Sequence, residues 1–211
     1  MVALFSVEPL SLMAIIVGLC TLGLTSLRNC MAAYGVQTVA LGLLAIELGV
    51  QHGEPVALWV GCVVLLLKGV GIPVYLGVVA RRIGCRRDEG LLIAPPLLMF
   101  ATLAAIALLV LTPGMAAVVP LHVWPSLLLV TIGMIFMMTR RMALTQIIGF
   151  LMLENGIFLY GISQPHSMPF IVELGVLVDV LAGTMLGGLL AFRLSDTFDH
   201  IDTTVLRELH G

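Results

Sequence analysis

The sequence predicts an all-α integral membrane protein of about seven transmembrane helices. Of its 211 residues, 60% are hydrophobic and only 10% are charged, whereas an ordinary soluble domain has about 45–50% apolar and about 25% charged residues. A water-soluble fold cannot bury that much apolar surface. The formal net charge is only -2, and the basic residues form short loop clusters instead of a continuous stripe. A nucleic-acid partner is therefore not expected.

Charged residues, prolines and glycines divide the chain into apolar segments of about 20 residues, the length needed to cross a bilayer core about 30 Å thick. The predicted spans are 9–27, 30–50, 56–80, 91–111, 120–138, 142–162 and 170–193. The connections between them are short, so we expect no extramembrane domain apart from the tail that follows the last span.

The nine arginines predict the orientation, because basic loop residues stay on the cytoplasmic side of the membrane. With seven spans they all fall on one face: Arg28, Arg81, Arg82, Arg86, Arg87, Arg140, Arg141, Arg193 and Arg207. The loops on the opposite face contain neither Lys nor Arg. We therefore predict that the N-terminus is outside and the C-terminus is cytoplasmic.

Three ionisable residues lie deep inside the predicted spans. Lys68 and Glu154 are each roughly 18 Å from the start of their span, and Asp179 is roughly 14 Å from the start of span seven, at a rise of about 1.5 Å per residue. A charge near the bilayer midplane costs at least about 2.5–3.5 kcal/mol on insertion scales. Two interpretations stay open: the residues form a proton relay, or they hold helices together through static ion pairs and hydrogen bonds.

Other polar side chains in the spans have less specific roles. Glu47 and Glu173 lie within a turn of the outer ends of spans two and seven, where contact with water is the favoured interpretation and a secondary place in the relay is the alternative. Four more polar residues can hold ordered waters or act as packing partners: Gln37, Gln146, Asn155 and Thr184.

The sequence gives no reason to expect a catalytic residue, a metal site or a cofactor. The histidines fall in loops or in the tail, whereas a bis-histidine haem site needs imidazoles that face each other within the helices. Neither a phosphate-binding glycine loop nor a nucleophilic serine elbow is found. The four cysteines lie far apart and are interpreted as small apolar side chains. We expect a non-catalytic membrane subunit.

Residues 133–161, GMIFMMTRRMALTQIIGFLMLENGIFLYG, resemble the first two helices of the complex I subunit NuoK and of the Mrp antiporter subunit MrpC. Span seven, VLVDVLAGTMLGGLLAFRL, resembles their third helix, with Asp179 followed four residues later by Gly183. The seven-span pattern most resembles the hydrogenase-4 component E (HyfE-type) family, in which extra helices precede a NuoK-like unit.

The resemblance implies three parts: helices one to four in residues 1–119, a NuoK-like three-helix unit in residues 120–193, and a cytoplasmic tail in residues 194–211. It also implies a subunit of an energy-converting [NiFe]-hydrogenase or formate-hydrogenlyase type complex in a prokaryotic inner membrane, with large antiporter-like subunits as partners.

The same resemblance gives the deep carboxylates a role, because NuoK-like subunits carry two of them along a hydrophilic axis. Asp179 matches the second by position. With Gly149 and Asn155 aligned to the family's Gly and Asn, Leu151 occupies the position of the first, and Glu154 lies three residues later on nearly the same helix face.

Three functions follow from these observations. The first is a proton-path subunit in which Glu154 and Asp179 are relay carboxylates and Lys68 modulates them. The second is a structural spacer between antiporter-like subunits and those near the redox arm. The third, a freestanding secondary transporter, has support only from Pro73, followed by Tyr75, as a sign of a broken helix.

Overall fold

The computed structural model describes residues 2–53, 55–83, 94–112, 114 and 119–164, which form a bundle of helices. In chain order the elements are α1 (Val2–Leu22), α2 (Leu27–His52), α3 (Pro55–Val63), a π-helical segment (Val64–Gly71), α4 (Ile72–Ile83), α5 (Pro95–Leu111), a turn of 3-10 helix (Leu121–Val123), α6 (Trp124–Thr139) and α7 (Ala143–Ile162). α3, the π-helical segment and α4 follow each other without a break and are called the third span.

Helices of membrane-spanning length and apolarity confirm the predicted fold class. The described part of the chain contains four of them: Leu27–Gln51, Leu58–Arg81, Leu121–Thr139 and Ala143–Ile162. Two shorter apolar helices, Pro9–Leu22 and Pro95–Leu108, accompany them. The chain is therefore a multi-pass, all-α membrane protein. Predicted span seven and the predicted tail lie outside the described residues.

Three predicted boundaries are wrong. The first span was expected from residue 9, but α1 begins at Val2. The first span was expected to continue to residue 27, but α1 ends at Leu22, where the Gly23 amide donates to the Cys20 carbonyl in a tight turn. The fourth span was expected from residue 91, whereas α5 begins at Pro95. Proline fits the first turn of a helix, where no backbone N–H is required.

α2 is the centre of the bundle and packs against α1, the whole third span and α7. α6 pairs with α7 and also contacts α1, while α5 contacts α1 and α6 at the edge. Because the helices alternate in direction, the arginines among the described residues all lie at one end of the bundle, here called the arginine end: Arg28, Arg81, Arg82, Arg140 and Arg141.

Glycines allow α6 and α7 to approach each other closely. A Cβ added at Gly133 would lie 2.4 Å from the Leu153 backbone nitrogen, and one at Gly149 would lie 2.7 Å from that of Met137. A Cβ added at Gly156 would be similarly close to the backbone of α6. Such contacts exclude any side chain at these positions, so the rotation of α7 about its own axis is fixed by its packing on α6.

Candidate functional site

The most unusual contact in the described residues is a buried ion pair between Lys68 of the third span and Glu154 of α7. The Lys68 Nζ donates a hydrogen bond to the Glu154 Oε1. The two residues are only 4% and 2% exposed. Glu154 lies roughly 17 Å from the start of α7, so the pair occupies the middle of the bundle. The charges, 86 residues apart in sequence, are therefore neutralised inside the protein.

Lys68 lies in a stretch of helix that is wider than an α-helix. Residues Val64–Gly71 are π-helical, and the Ile72 amide bonds to the Leu67 carbonyl five residues back. Pro73 follows directly and has no N–H to donate to the Gly69 carbonyl, so the regular hydrogen-bond ladder cannot pass this point. π-helical turns are rare and often mark functional positions in helices. The lysine thus sits on an irregular, adjustable part of its span.

A second polar cluster joins α7 to α2 and α1 next to the ion pair. The Asn155 Nδ2 donates to the Gln37 Oε1 at 3.1 Å and to the Thr38 Oγ1 at 2.9 Å. The Gln37 Nε2 donates to the Ala14 carbonyl at 3.1 Å, and the Thr38 hydroxyl donates to the Tyr34 carbonyl at 2.9 Å. These hydrogen bonds are all buried. They form a continuous network across three helices.

Three consecutive residues of α7 thereby face three different neighbours. Leu153 lies against Gly133 of α6, Glu154 meets the third span, and Asn155 binds α2. Leaving a buried polar group without a partner costs about 1–3 kcal/mol, so the Asn155 network opposes rotation of α7. The network and the glycine contacts together hold the Glu154 carboxylate towards Lys68.

The sequence pointed to part of this network. Gln37 and Asn155 were left open as water-holding or packing residues, and the structure bonds them directly to each other. Gln146 donates to the Arg140 carbonyl at 2.8 Å. Thr38 was missed, because a threonine within a span usually satisfies its hydroxyl on its own helix and gives no sign of a second partner. Thr184 lies outside the described residues.

Arg140 has a structural role that its position in a short loop did not reveal. It is buried, and its Nη2 donates to the Leu22 and Leu24 carbonyls at 3.1 and 2.8 Å. Its guanidinium also lies 4.3 Å from the centre of the Phe136 ring. A cation at a helix C-terminus binds the last carbonyls and complements the helix dipole. Arg140 therefore ties the end of α1 to α6.

Of the remaining predicted site residues, only Glu47 lies in the described part of the chain, and it is not bonded to the ion pair. Glu47 is half-buried near the end of α2 opposite the arginine end, where its Oε1 accepts a hydrogen bond from the Gln51 Nε2 at 3.2 Å. Asp179 and Glu173 lie outside the described residues. Within the described ranges, no three His, Cys, Asp or Glu side chains are grouped so that they could hold a metal ion.

Comparison with the sequences of known proteins identifies the family of this chain. Residues 122–211 match the family model of NADH-ubiquinone/plastoquinone oxidoreductase chain 4L, the counterpart of NuoK. Uncharacterized protein Rv0085 of Mycobacterium tuberculosis is 32% identical over 182 residues, which cover 82% of this chain and 81% of that protein. This chain belongs to the family of the mycobacterial protein. No solved structure matches it.

The chain 4L-like unit, residues 122–211, begins at the 3-10 turn before α6 and includes α7. It therefore contains Glu154 and Asn155, while Lys68, Gln37 and Thr38 come from the helices that precede it. The expected NuoK-like unit is confirmed. The chain is accordingly a membrane subunit of a multi-subunit oxidoreductase complex related to complex I, and its buried ion pair joins the chain 4L-like unit to the preceding helices.

Proposed function

We propose that this chain forms part of a proton path in the membrane arm of an energy-converting hydrogenase or formate-hydrogenlyase type complex, as in the hydrogenase-4 component E family. The observation that carries the proposal is the Lys68–Glu154 ion pair, which lies in the middle of the bundle and whose lysine belongs to the π-helical segment. The chain itself carries no catalytic centre in this proposal. Its partners are large antiporter-like subunits in a prokaryotic inner membrane.

A buried lysine–glutamate pair is suited to proton transfer because its two charges depend on each other. Protonation of Glu154 would leave the Lys68 ammonium as an uncompensated charge in a low-dielectric environment, which is costly. The two groups therefore exchange protons as a coupled unit. In the relay, Glu154 accepts a proton, Lys68 passes one on, and both groups return to the ion pair.

We assign Asp179 to the next step of the path, because it is the second deep carboxylate of the chain 4L-like unit. Glu47 and Glu173 serve as secondary positions near the outer surface in this scheme, with the N-terminus outside and the C-terminus cytoplasmic. Glu47 fits such a place, since it is half-buried and bonded to Gln51 within its own helix. The three-part division at residues 119 and 193 belongs to the same proposal.

A structural spacer is the second candidate function, and the Asn155 network favours it. Its polar groups bond to one another directly, and the glycine contacts lock α6 on α7. Such rigidity would suit a subunit that only connects its neighbours. In a spacer, the ion pair would hold helices together and no proton would move along it.

Carboxylate-to-amide variants of the complete complex separate these functions. Glu154→Gln and Asp179→Asn are compared with Glu47→Gln, at the secondary position of the scheme, and with the control Arg141→Gln, at an exposed charge outside it. Inverted membrane vesicles are energised with formate or H₂, proton uptake is followed by a fluorescent pH probe, and assembly is checked on native gels. The proposal expects assembled complexes in which the first two variants lose most proton uptake, Glu47→Gln loses less, and Arg141→Gln keeps the wild-type rate.

Wild-type proton uptake in both Glu154→Gln and Asp179→Asn, with normal assembly, would show that the chain is a spacer. Assembly is measured for each variant because removal of one partner of a buried pair can destabilise the protein by about 3–5 kcal/mol.

A further inference from the structure

A groove opens at the arginine end between the start of α2 and α4. It has a volume of about 360 Å³ and is lined by two arginines, Arg28 and Arg81, together with an apolar surface. Arg28 is the second residue of α2, and Arg81 is two residues from the end of α4. Both arginines are exposed. The groove therefore combines positive charge at the predicted membrane surface with an apolar interior.

The groove exists because Gly77, Ala32 and Pro73, which line it, have small or compact side chains. A Cβ added at Gly77 would meet no atom within 4 Å, and Ala32 of α2 is the small residue on the facing side. Pro73 lines the deep end of the groove, eight residues or roughly 12 Å along the helix from Arg81. The groove is thus long enough to hold an extended apolar chain beneath the arginines.

The walls of the groove would suit a hydrocarbon chain. Val74 and Val78 lie one turn apart on α4 and are 61% and 45% exposed, and Met31 of α2 contributes a flexible apolar side chain on the other side. A free inorganic anion would be matched by the arginines but would make no use of this surface. A molecule with one anionic end and one apolar end matches both parts of the groove.

We propose that the groove binds an anionic phospholipid, with the phosphate between Arg28 and Arg81 and one acyl chain along Val74 and Val78. Guanidinium groups bind phosphate oxygens through paired hydrogen bonds, and basic pockets between transmembrane helices are suited to anionic headgroups. Because the two arginines are positively charged, an anionic lipid is favoured over a zwitterionic one. This site is separate from the ion pair and does not depend on the proton-path proposal.

Lipid binding by the purified full-length chain in detergent tests this inference. Phosphatidylglycerol is compared with phosphatidylcholine of the same acyl chains, by native mass spectrometry and by the shift in melting temperature. The test variant is Arg28→Gln/Arg81→Gln, and the matched control is Arg141→Gln, which removes an exposed arginine at the same end that does not line the groove. Each arginine near an anionic surface contributes about 1 kcal/mol, so the double variant should bind phosphatidylglycerol about thirtyfold more weakly.

The expected result is a preference for phosphatidylglycerol that persists in Arg141→Gln and disappears in the double variant. Equal binding of both lipids by the wild type would overturn the inference, as would an equal preference in all three proteins. Stabilisation by inorganic phosphate alone, as large as that by phosphatidylglycerol, would show a simple anion site instead.

Discussion

The α6–α7 pair and the third span supply the two halves of the ion pair, and they are built differently. The apolar window of Ala143–Ile162 is 61% buried, whereas that of Leu58–Arg81 is only 28% buried. Glycines bring α6 and α7 into backbone contact. The third span instead contains a π-helical segment followed by Pro73. α7 is therefore mostly buried and regular, whereas the third span is less buried and irregular, although glycines also bring it close to α2.

This difference indicates which partner of the pair can move. Glu154 is held by the glycine contacts of its helix and by the hydrogen bonds of its neighbour Asn155. Lys68 has a flexible side chain on a π-helical segment, which is rare in helices and often lies at functional sites. A conformational change that opens the ion pair should therefore displace the third span and leave α7 in place.

The largest loss of stability is expected from a substitution at the contact between α6 and α7. Gly133→Ala places a methyl group 2.4 Å from the Leu153 backbone nitrogen, so α6 and α7 must separate, and overpacking of this kind costs about 1–3 kcal/mol, occasionally more. The matched control is Gly77→Ala on the third span, where no atom lies within 4 Å and alanine gains up to about 1 kcal/mol in helix propensity. The free energy of unfolding of both variants is measured in mixed micelles. Equal free energies would show that the two regions do not differ in how tightly they are packed.

A smaller effect is expected in the polar network that fixes α7. Asn155→Ala removes two buried hydrogen bonds, and interhelical hydrogen bonds in membranes contribute about 0.6 kcal/mol each, up to about 1.7. We expect a loss of about 1–2 kcal/mol in the same unfolding assay. Gln51→Ala is the control, since its amide makes an exposed bond to Glu47 within one helix and should cost less than about 0.5 kcal/mol. If Asn155→Ala leaves the free energy of unfolding unchanged, the network does not hold Glu154 in position.

The smallest effect on stability and the most selective effect on function are expected at Pro73. Pro73→Ala restores an N–H that can bond to the Gly69 carbonyl, which allows the π-helical segment to become a regular helix and shifts Lys68 relative to Glu154, while the long lysine side chain keeps the ion pair. Stability should change by less than about 1 kcal/mol, while proton uptake by the assembled complex falls. Pro96→Ala, at the exposed start of α5, should leave proton uptake unchanged. Normal uptake in Pro73→Ala would show that the irregular turn has no role.

The sequence predicted the fold class and the depth of the key residues but not their pairing. Depth follows from counting residues along a span, so Lys68 and Glu154 could both be placed near the midplane. Their rotation about the helix axes depends on the π-helical turn before Pro73 and on the close contact at Gly133. Neither feature has a sequence signature that fixes it in advance.

The role of Arg140 shows a second limit of sequence reasoning. In the sequence it was one of nine arginines that predict orientation, and nothing distinguished it from Arg141. In the structure Arg140 is buried and binds the carbonyls at the end of α1, while Arg141 is exposed. The distinction arises from the turn between α6 and α7 and from the early end of α1 at Leu22. The pattern of charged residues in the sequence predicts neither of these two features.

The most direct test of the proton path is the double variant Lys68→Gln/Glu154→Gln. It removes both charges together and keeps hydrogen-bonding side chains of similar size, so it avoids the unpaired buried charge that either single variant creates. We expect a complex that assembles better than Lys68→Gln alone but has lost proton uptake in energised vesicles. A double variant that assembles and takes up protons at the wild-type rate would show that the ion pair is a static contact and not part of a proton path.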